Sequence, residues 1–366
     1  MFSFFISFFG NLKEQIFVLI GIRIVKRIKR PCNIIKKINK ERKENMEKKK
    51  VVGFSFGRKM SNTEVMIKEA LLVCERAGME IQFIRCDDLN IHICTGCCSC
   101  VSGLMMGKGR GHCIHKDDDF HIIEEALMSA DGVIVGSPTY EFAPTGNFKV
   151  VCDRIGPAHD KTFRGPAIEQ GIEQGKDPES YPDSRSTKPR VGALITVGGA
   201  RTENWLSLSL PNMYEFTFPM GIDVIDKYKY FGAMNISHVL GRPDVMERMA
   251  KLGQNIVDAL QAETEEERIR YRGDDKGVCP VCHESILTVG YGGNKVECPV
   301  CGIEGTLDLV DGEIRVTFSE AQQNRSRLRD AGKWEHSNEI RDGAMTQKKV
   351  ENLKELKMKY VGVGEA

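Results

Sequence analysis

The chain has 366 residues, enough for two ordinary domains with extensions. Its 52 basic and 51 acidic side chains nearly cancel, yet residues 1 to 50 carry 14 Lys and Arg against 4 Glu, leaving 38 basic against 47 acidic elsewhere. An acidic body lacks the basic face that nucleic acid requires, which argues against a nucleic-acid binder.

The first 45 residues read as a separate extension. Its apolar stretches, Met1 to Gly10 and Ile16 to Ile22, fall short of the roughly 20 residues that span a bilayer. They fit either an interfacial anchor with a polybasic flank or an untranslated leader, with initiation at Met46. The second reading is preferred, because Met46 opens directly into a strand and the upstream composition of Phe, Ile, Lys and Asn is that of A/T-rich leader sequence. A membrane role is therefore not expected.

From Met46 to about residue 270 the pattern alternates strand and helix. Val51 to Phe54 is an apolar run ending in the polar loop Ser55 to Thr63, after which a helix is predicted up to Gly78. Such a loop turns amides and hydroxyls toward a helix N-terminus, where an anion is favoured. It lacks both the Walker and the dinucleotide glycine patterns, so a monophosphate held by Ser55, Ser61, Asn62 and Thr63, with Arg58 closing over it, is the better reading. Further strands are predicted at Glu80 to Arg85, Gly132 to Gly136, Val191 to Val197 and Asp223 to Phe231, with helices at Asp117 to Ser129, Thr145 to Ile155 and from Pro243. Five strands with crossover helices imply a doubly wound α/β sheet, whose ligands bind at the carboxyl ends of the strands.

Two cysteine groups interrupt or follow this alternation. Cys94, Cys97, Cys100 and Cys113 crowd the stretch between the second strand and the next helix, a density that points to a metal centre and a reducing compartment. Their spacing is that of a cluster-binding run, although His112 and His115 leave a zinc set open. Cys98 is a fifth thiol without a role. The second group is Cys279, Cys282, Cys298 and Cys301, in two C-P-V-C knuckles with hairpins between and after them, the pattern of a zinc ribbon at 275–318. Iron is its rival metal. Between these groups, 157–190 reads as a long polar loop, either a lid or a passive insertion. After Phe318 the chain, 319–366, is charged and predicted helical.

The stretches S-F-G-R-K-M-S-N-T from Ser55, G-V-I-V-G-S-P-T-Y from Gly132 and T-G-N-F-K-V-V-C-D-R from Thr145 resemble the flavodoxin-like NADPH-dependent FMN reductase family over about Lys50 to Leu260. With the first cysteine loop, the chain closely resembles the iron-sulfur flavoproteins of archaea and anaerobic bacteria. The resemblance implies FMN, with its ring against Pro138, Thr139, Tyr140, Thr145, Gly146 and Asn147 and with Gly198 and Gly199 at the far edge. It also implies a [4Fe–4S] cluster on Cys94, Cys97, Cys100 and Cys113, although the twelve residues before Cys113 are more than the family usually has. Ferredoxin or NAD(P)H is the implied electron donor, and the cluster meets the flavin across the interface of a homo-oligomer. No side chain is required as a catalytic acid or base. The expected function is cytoplasmic electron transfer between FMN and the cluster. The alternatives are a cluster-free NAD(P)H-dependent flavin or quinone reductase and a flavin-bound sensor or scaffold acting through a zinc-loaded ribbon.

Overall fold

The computed structural model describes residues 48–234, 238–290, 292–346 and 350–364. The anchor and leader readings of the first 45 residues lie outside them. From Lys49 onward the described residues form one compact unit.

The sheet is built on strands β1 (Lys50–Ser55), β2 (Glu80–Arg85), β3 (Gly132–Tyr140), β5 (Arg190–Val197) and β6 (Ile222–Tyr230), in the order β2-β1-β3-β5-β6. All neighbouring pairs on this path are parallel. That is the flavodoxin-type order, with its switch point between β1 and β3. A two-residue strand, β4 (Ala143–Pro144), folds back antiparallel on β3. The strands predicted from continuous apolar runs are present, with β3 continuing four residues further to Tyr140. Every residue of β5 is buried, as expected of a strand covered on both faces.

Helices α1 (Asn62–Arg76) and α7 (Pro243–Gln261) cover one face. They approach closely at Gly253, where a Cβ would come within 2.4 Å of the Ala70 carbonyl oxygen. The opposite face is covered by α3 (Phe120–Ser129), α4 (Gly146–Ile155) and α6 (Ser209–Thr217). Arg190 is fully buried at the start of β5. Its guanidinium donates to the carbonyls of Leu127 and Met128, satisfying the end of α3, and to those of Arg185, Ser186 and Lys188.

The stretch 157–190, expected to be an irregular loop, contains a 13-residue helix, α5 (Lys161–Glu173). Pro166 inside it has no N–H for the Thr162 carbonyl. That carbonyl accepts instead from Arg341 Nη2, at 3.2 Å, on α8 (Asp330–Thr346). Lys333 of the same helix is buried, 3.2 Å from Asp160, and lies 3.6 Å over the Phe218 ring. The charged tail is thus partly packed on the body.

A second, antiparallel sheet, β7 (Thr288–Val289), β8 (Lys295–Cys298), β9 (Ile303–Val310) and β10 (Glu313–Thr317), forms the cysteine ribbon. Its core residues Val300, Ile303 and Phe318 join the cluster around Phe216 and Tyr214. The Tyr214 hydroxyl donates to the Cys282 carbonyl, and the Arg272 amide donates to the Ile225 carbonyl at 2.7 Å.

Candidate active site and metal centres

The loop after β1 is shaped by Glu64. Ser61 caps α1, its Oγ accepting from the Glu64 amide at 3.5 Å, while Glu64 Oε2 accepts from the Met60 amide at 3.1 Å. The S-x-x-E spacing of a capping box, Ser61 to Glu64, was available in the sequence for this role. Glu64 is buried. Burial alone would raise its pKa, but hydrogen bonds from Arg85 and Lys68, together with the Met60 amide, overcome this and hold it at about 2. Met60 has φ 54°, and the amides of Asn62 and Thr63, in the first turn of the helix, have no acceptors among the described residues.

Gly57 to Thr63, Pro138 to Tyr140, Val197 and Gly199 line one cleft of about 570 Å³ at the carboxyl ends of the strands. The loops after β1, β3 and β5 thus meet at the carboxyl ends of the strands, where a doubly wound sheet binds its ligands. Ala233, Met234 and His238, which follow β6, complete the lining and carry no motif that sequence reasoning could have used. His238 Nε2 lies 3.0 Å from the Met60 carbonyl and so braces the first loop.

The other residues singled out from the sequence sit outside this lining. Ser55 is fully buried beneath the loop, its Oγ accepting from the Gly57 amide at 3.3 Å. Thr145 caps α4, and Asn147 donates to the Cys86 carbonyl and the Asp87 carboxylate, each at 3.1 Å. Gly146 begins α4, and Gly198 supports Leu206. Thr139, which does line the cleft, is fixed by a hydroxyl chain through Thr196, at 2.9 Å, to Ser209.

The donor set fits a phosphate-bearing ligand. Arg58 and Lys59 have exposed side chains with no hydrogen bond or ion pair among the described residues, and they stand beside the two free helix-start amides.

The first cysteine group lies between β2 and α3. Cys94, Cys97 and Cys98 are exposed, whereas Cys100 and Cys113 are half-buried. A short helix, α2 (Ser99–Met105), sets its Val101 and Leu104 against Phe163 and Ala167 of α5. Lys176 and Glu179 reach Gly107 and Arg110 of the same loop. The 157–190 segment thus buttresses the cysteine loop. Burial pushes the Cys100 thiol up, and the nearby Cys113 and Cys94 add to this. Arg154, bound to the buried Asp118, is the cation beside Cys113 and Cys94. Among the described residues these thiols do not draw together as tightly as one tetrahedral ion needs.

Cys279, Cys282, Cys298 and Cys301 do. All four are buried, with ligand atoms within 4.8 Å of one another. The Cys279 and Cys301 sulfurs are 3.7 Å apart, and those of Cys282 and Cys298 3.5 Å. These are close to the edges of a four-sulfur tetrahedron with metal–sulfur bonds of about 2.3 Å.

The fold and the cleft define a flavodoxin-like oxidoreductase. Residues 50–214 match the sequence profile described as NADPH-dependent FMN reductase. Over 323 residues the chain is 29% identical to the flavone synthase cfoJ of Aspergillus candidus, covering 86% of this chain and 96% of that protein. An iron-sulfur flavoprotein of Methanocaldococcus jannaschii is 30% identical over 155 residues, 42% of this chain and 63% of the relative. Among solved structures, a flavone reductase superposes with a TM-score of 0.70 at 26% identity, over 87% of this chain and 98% of its own. No helix among the described residues is long and apolar enough to cross a membrane.

Proposed function

We propose that the protein is an FMN-dependent oxidoreductase that moves a hydride between a nicotinamide donor and a planar aromatic ketone of the flavone class. The observation that carries this reading is the extent of the likeness. Similarity to the flavone synthase and the flavone reductase covers 86% and 87% of the chain, whereas that to the M. jannaschii iron-sulfur flavoprotein covers 42%.

In this reading Arg58, Ser61, Asn62 and Thr63 hold the phosphate, with Ser55 supporting the loop from below. Pro138, Thr139, Tyr140 and Gly199 meet the ring, while Thr145, Gly146, Asn147 and Gly198 position the strand ends that do so. When bound, FMN supplies a two-electron carrier between the nicotinamide and the organic acceptor. The protein's part is to hold the phosphate, present a fixed ring face and keep water from it.

The first cysteine loop favours a second reading, electron transfer through a [4Fe–4S] cluster on Cys94, Cys97, Cys100 and Cys113. The support is their spacing, three thiols at intervals of three residues followed by a more distant fourth. That reading calls for a homo-oligomer and a donor such as ferredoxin. In both readings the ribbon cysteines hold zinc as a structural ion.

Purification without oxygen, followed by flavin, iron, sulfide and zinc analysis and an NADPH oxidation assay with flavone, tests both. Flavone-dependent NADPH consumption is expected. Bound flavin with about four iron and four sulfide per chain and no flavone turnover would replace the first reading with the second.

A further inference from the structure

At the mouth of the cleft, β3 and β4 pair Tyr140 with Ala143, so Glu141 and Phe142 alone make the turn. Both have positive φ, 46° and 73°, as a primed two-residue hairpin requires. Asn and Gly adopt such a turn readily, whereas a bulky aromatic there is strained. Phe142 is exposed at this turn. Its ring stacks on Trp205, with centroids 5.6 Å apart and planes 13° from parallel.

Both rings remain largely solvent-accessible, Phe142 at 44% and Trp205 at 51%, as does Tyr140 at 56%. The stack is tied to the cleft on two sides. Tyr140 lines the cleft two residues before Phe142. Leu206, next to Trp205, is buried against Gly198, where a Cβ would come 2.4 Å from the leucine side chain, and the following Gly199 lines the cleft. Three large aromatic side chains left in water at a cleft rim, two of them already parallel, offer free π faces to a flat partner.

We propose that Phe142 and Trp205, with Tyr140, form an aromatic platform that binds the planar organic substrate and sets its specificity. This rests on the hydride-transfer reading above for the identity of the substrate. The adenine of a nicotinamide dinucleotide has the same flat aromatic chemistry, so the test must separate the two.

The chain has two tryptophans, so Trp334→Phe leaves Trp205 as its one indole fluorophore. In the FMN-loaded Trp334→Phe protein, flavone should quench Trp205 emission saturably. Adding Phe142→Ala should weaken that binding roughly three- to tenfold, and Phe142→Tyr should restore it. Binding of NADP+ should be the same in all three proteins. Quenching that does not saturate, a flavone affinity indifferent to Phe142→Ala, or weakening seen with NADP+ instead overturns the platform. So does dissociation of an oligomer by Phe142→Ala, which would make the pair a contact between copies.

Flavone turnover on the same preparations is read separately. Turnover without Trp205 quenching removes the platform and keeps the reaction. Saturable, Phe142-dependent quenching without turnover keeps the platform and removes the reaction.

Discussion

Lys227 of β6 places its ammonium 2.6 Å from Glu284 Oε1 of the ribbon, and both side chains are only 3% exposed. The same ammonium donates to the His283 carbonyl. A buried ion pair contributes little net stability over an apolar pair, but removal of one partner strands the other charge. Lys227→Met is therefore expected to lower the unfolding free energy by about 3–5 kcal/mol. The double variant Lys227→Met with Glu284→Met should recover most of that loss. Urea unfolding of the three proteins checks this, and equal midpoints for single variant and wild type would refute it.

Glu64 makes the fold acid-sensitive in a defined window. Its folded pKa, about 2, lies below the ordinary value of 4.5, so its charged form is favoured by folding. That contribution is fully present above pH 4.5 and is lost as pH falls toward 2. Stability should decline over that interval, and Glu64→Gln should flatten the decline while lowering stability near neutrality. Denaturation at a series of pH values measures both. An unchanged acid slope in the variant would place the sensitivity elsewhere.

Arg58 has no acceptor among the described residues and faces the cleft beside two free helix-start amides. A charge-assisted contact of about 1.5–3 kcal/mol corresponds to roughly ten- to hundredfold in affinity. Arg58→Ala should weaken FMN binding to the apoprotein by that factor and leave riboflavin, which lacks the phosphate, almost unaffected. Flavin fluorescence titration separates the cases. Equal loss for both ligands would mean that Arg58 shapes the loop and does not bind phosphate.

The elements most legible in the sequence were those in which one physical requirement dominates. Gly132 to Gly136 and Val191 to Val197 announce buried parallel strands, because only a doubly covered strand tolerates an unbroken apolar run. The ribbon cysteines were legible because four thiols in two tight knuckles have few other uses. Helix α5 was hidden because Gly165 and Pro166 oppose a helix locally, and the compensation comes from Arg341, 179 positions after the Thr162 whose carbonyl it reaches. The same holds for Met234 and His238, brought to the cleft by the chain's return from β6. Glu64 is different in kind. Its capping-box spacing was visible, but its pairing with Arg85 across the sheet edge was not.

The ribbon has too little apolar core to fold alone, and metal binding supplies folding energy in such modules. Here its sulfur site is continuous with the cluster holding Tyr214 and Phe216, so loss of the metal should be felt beyond the ribbon. A strong chelator under reducing conditions is expected to release one ion per chain, lower the thermal midpoint and reduce near-ultraviolet circular dichroism from the tyrosines. Cys298→Ser should behave like the chelated protein. FMN affinity at low temperature should change little, because none of the residues lining the cleft belongs to the ribbon. Metal release with an unshifted midpoint would show that the four sulfurs do not tie the ribbon to the body, and that the contacts of Tyr214 and Lys227 suffice without the ion.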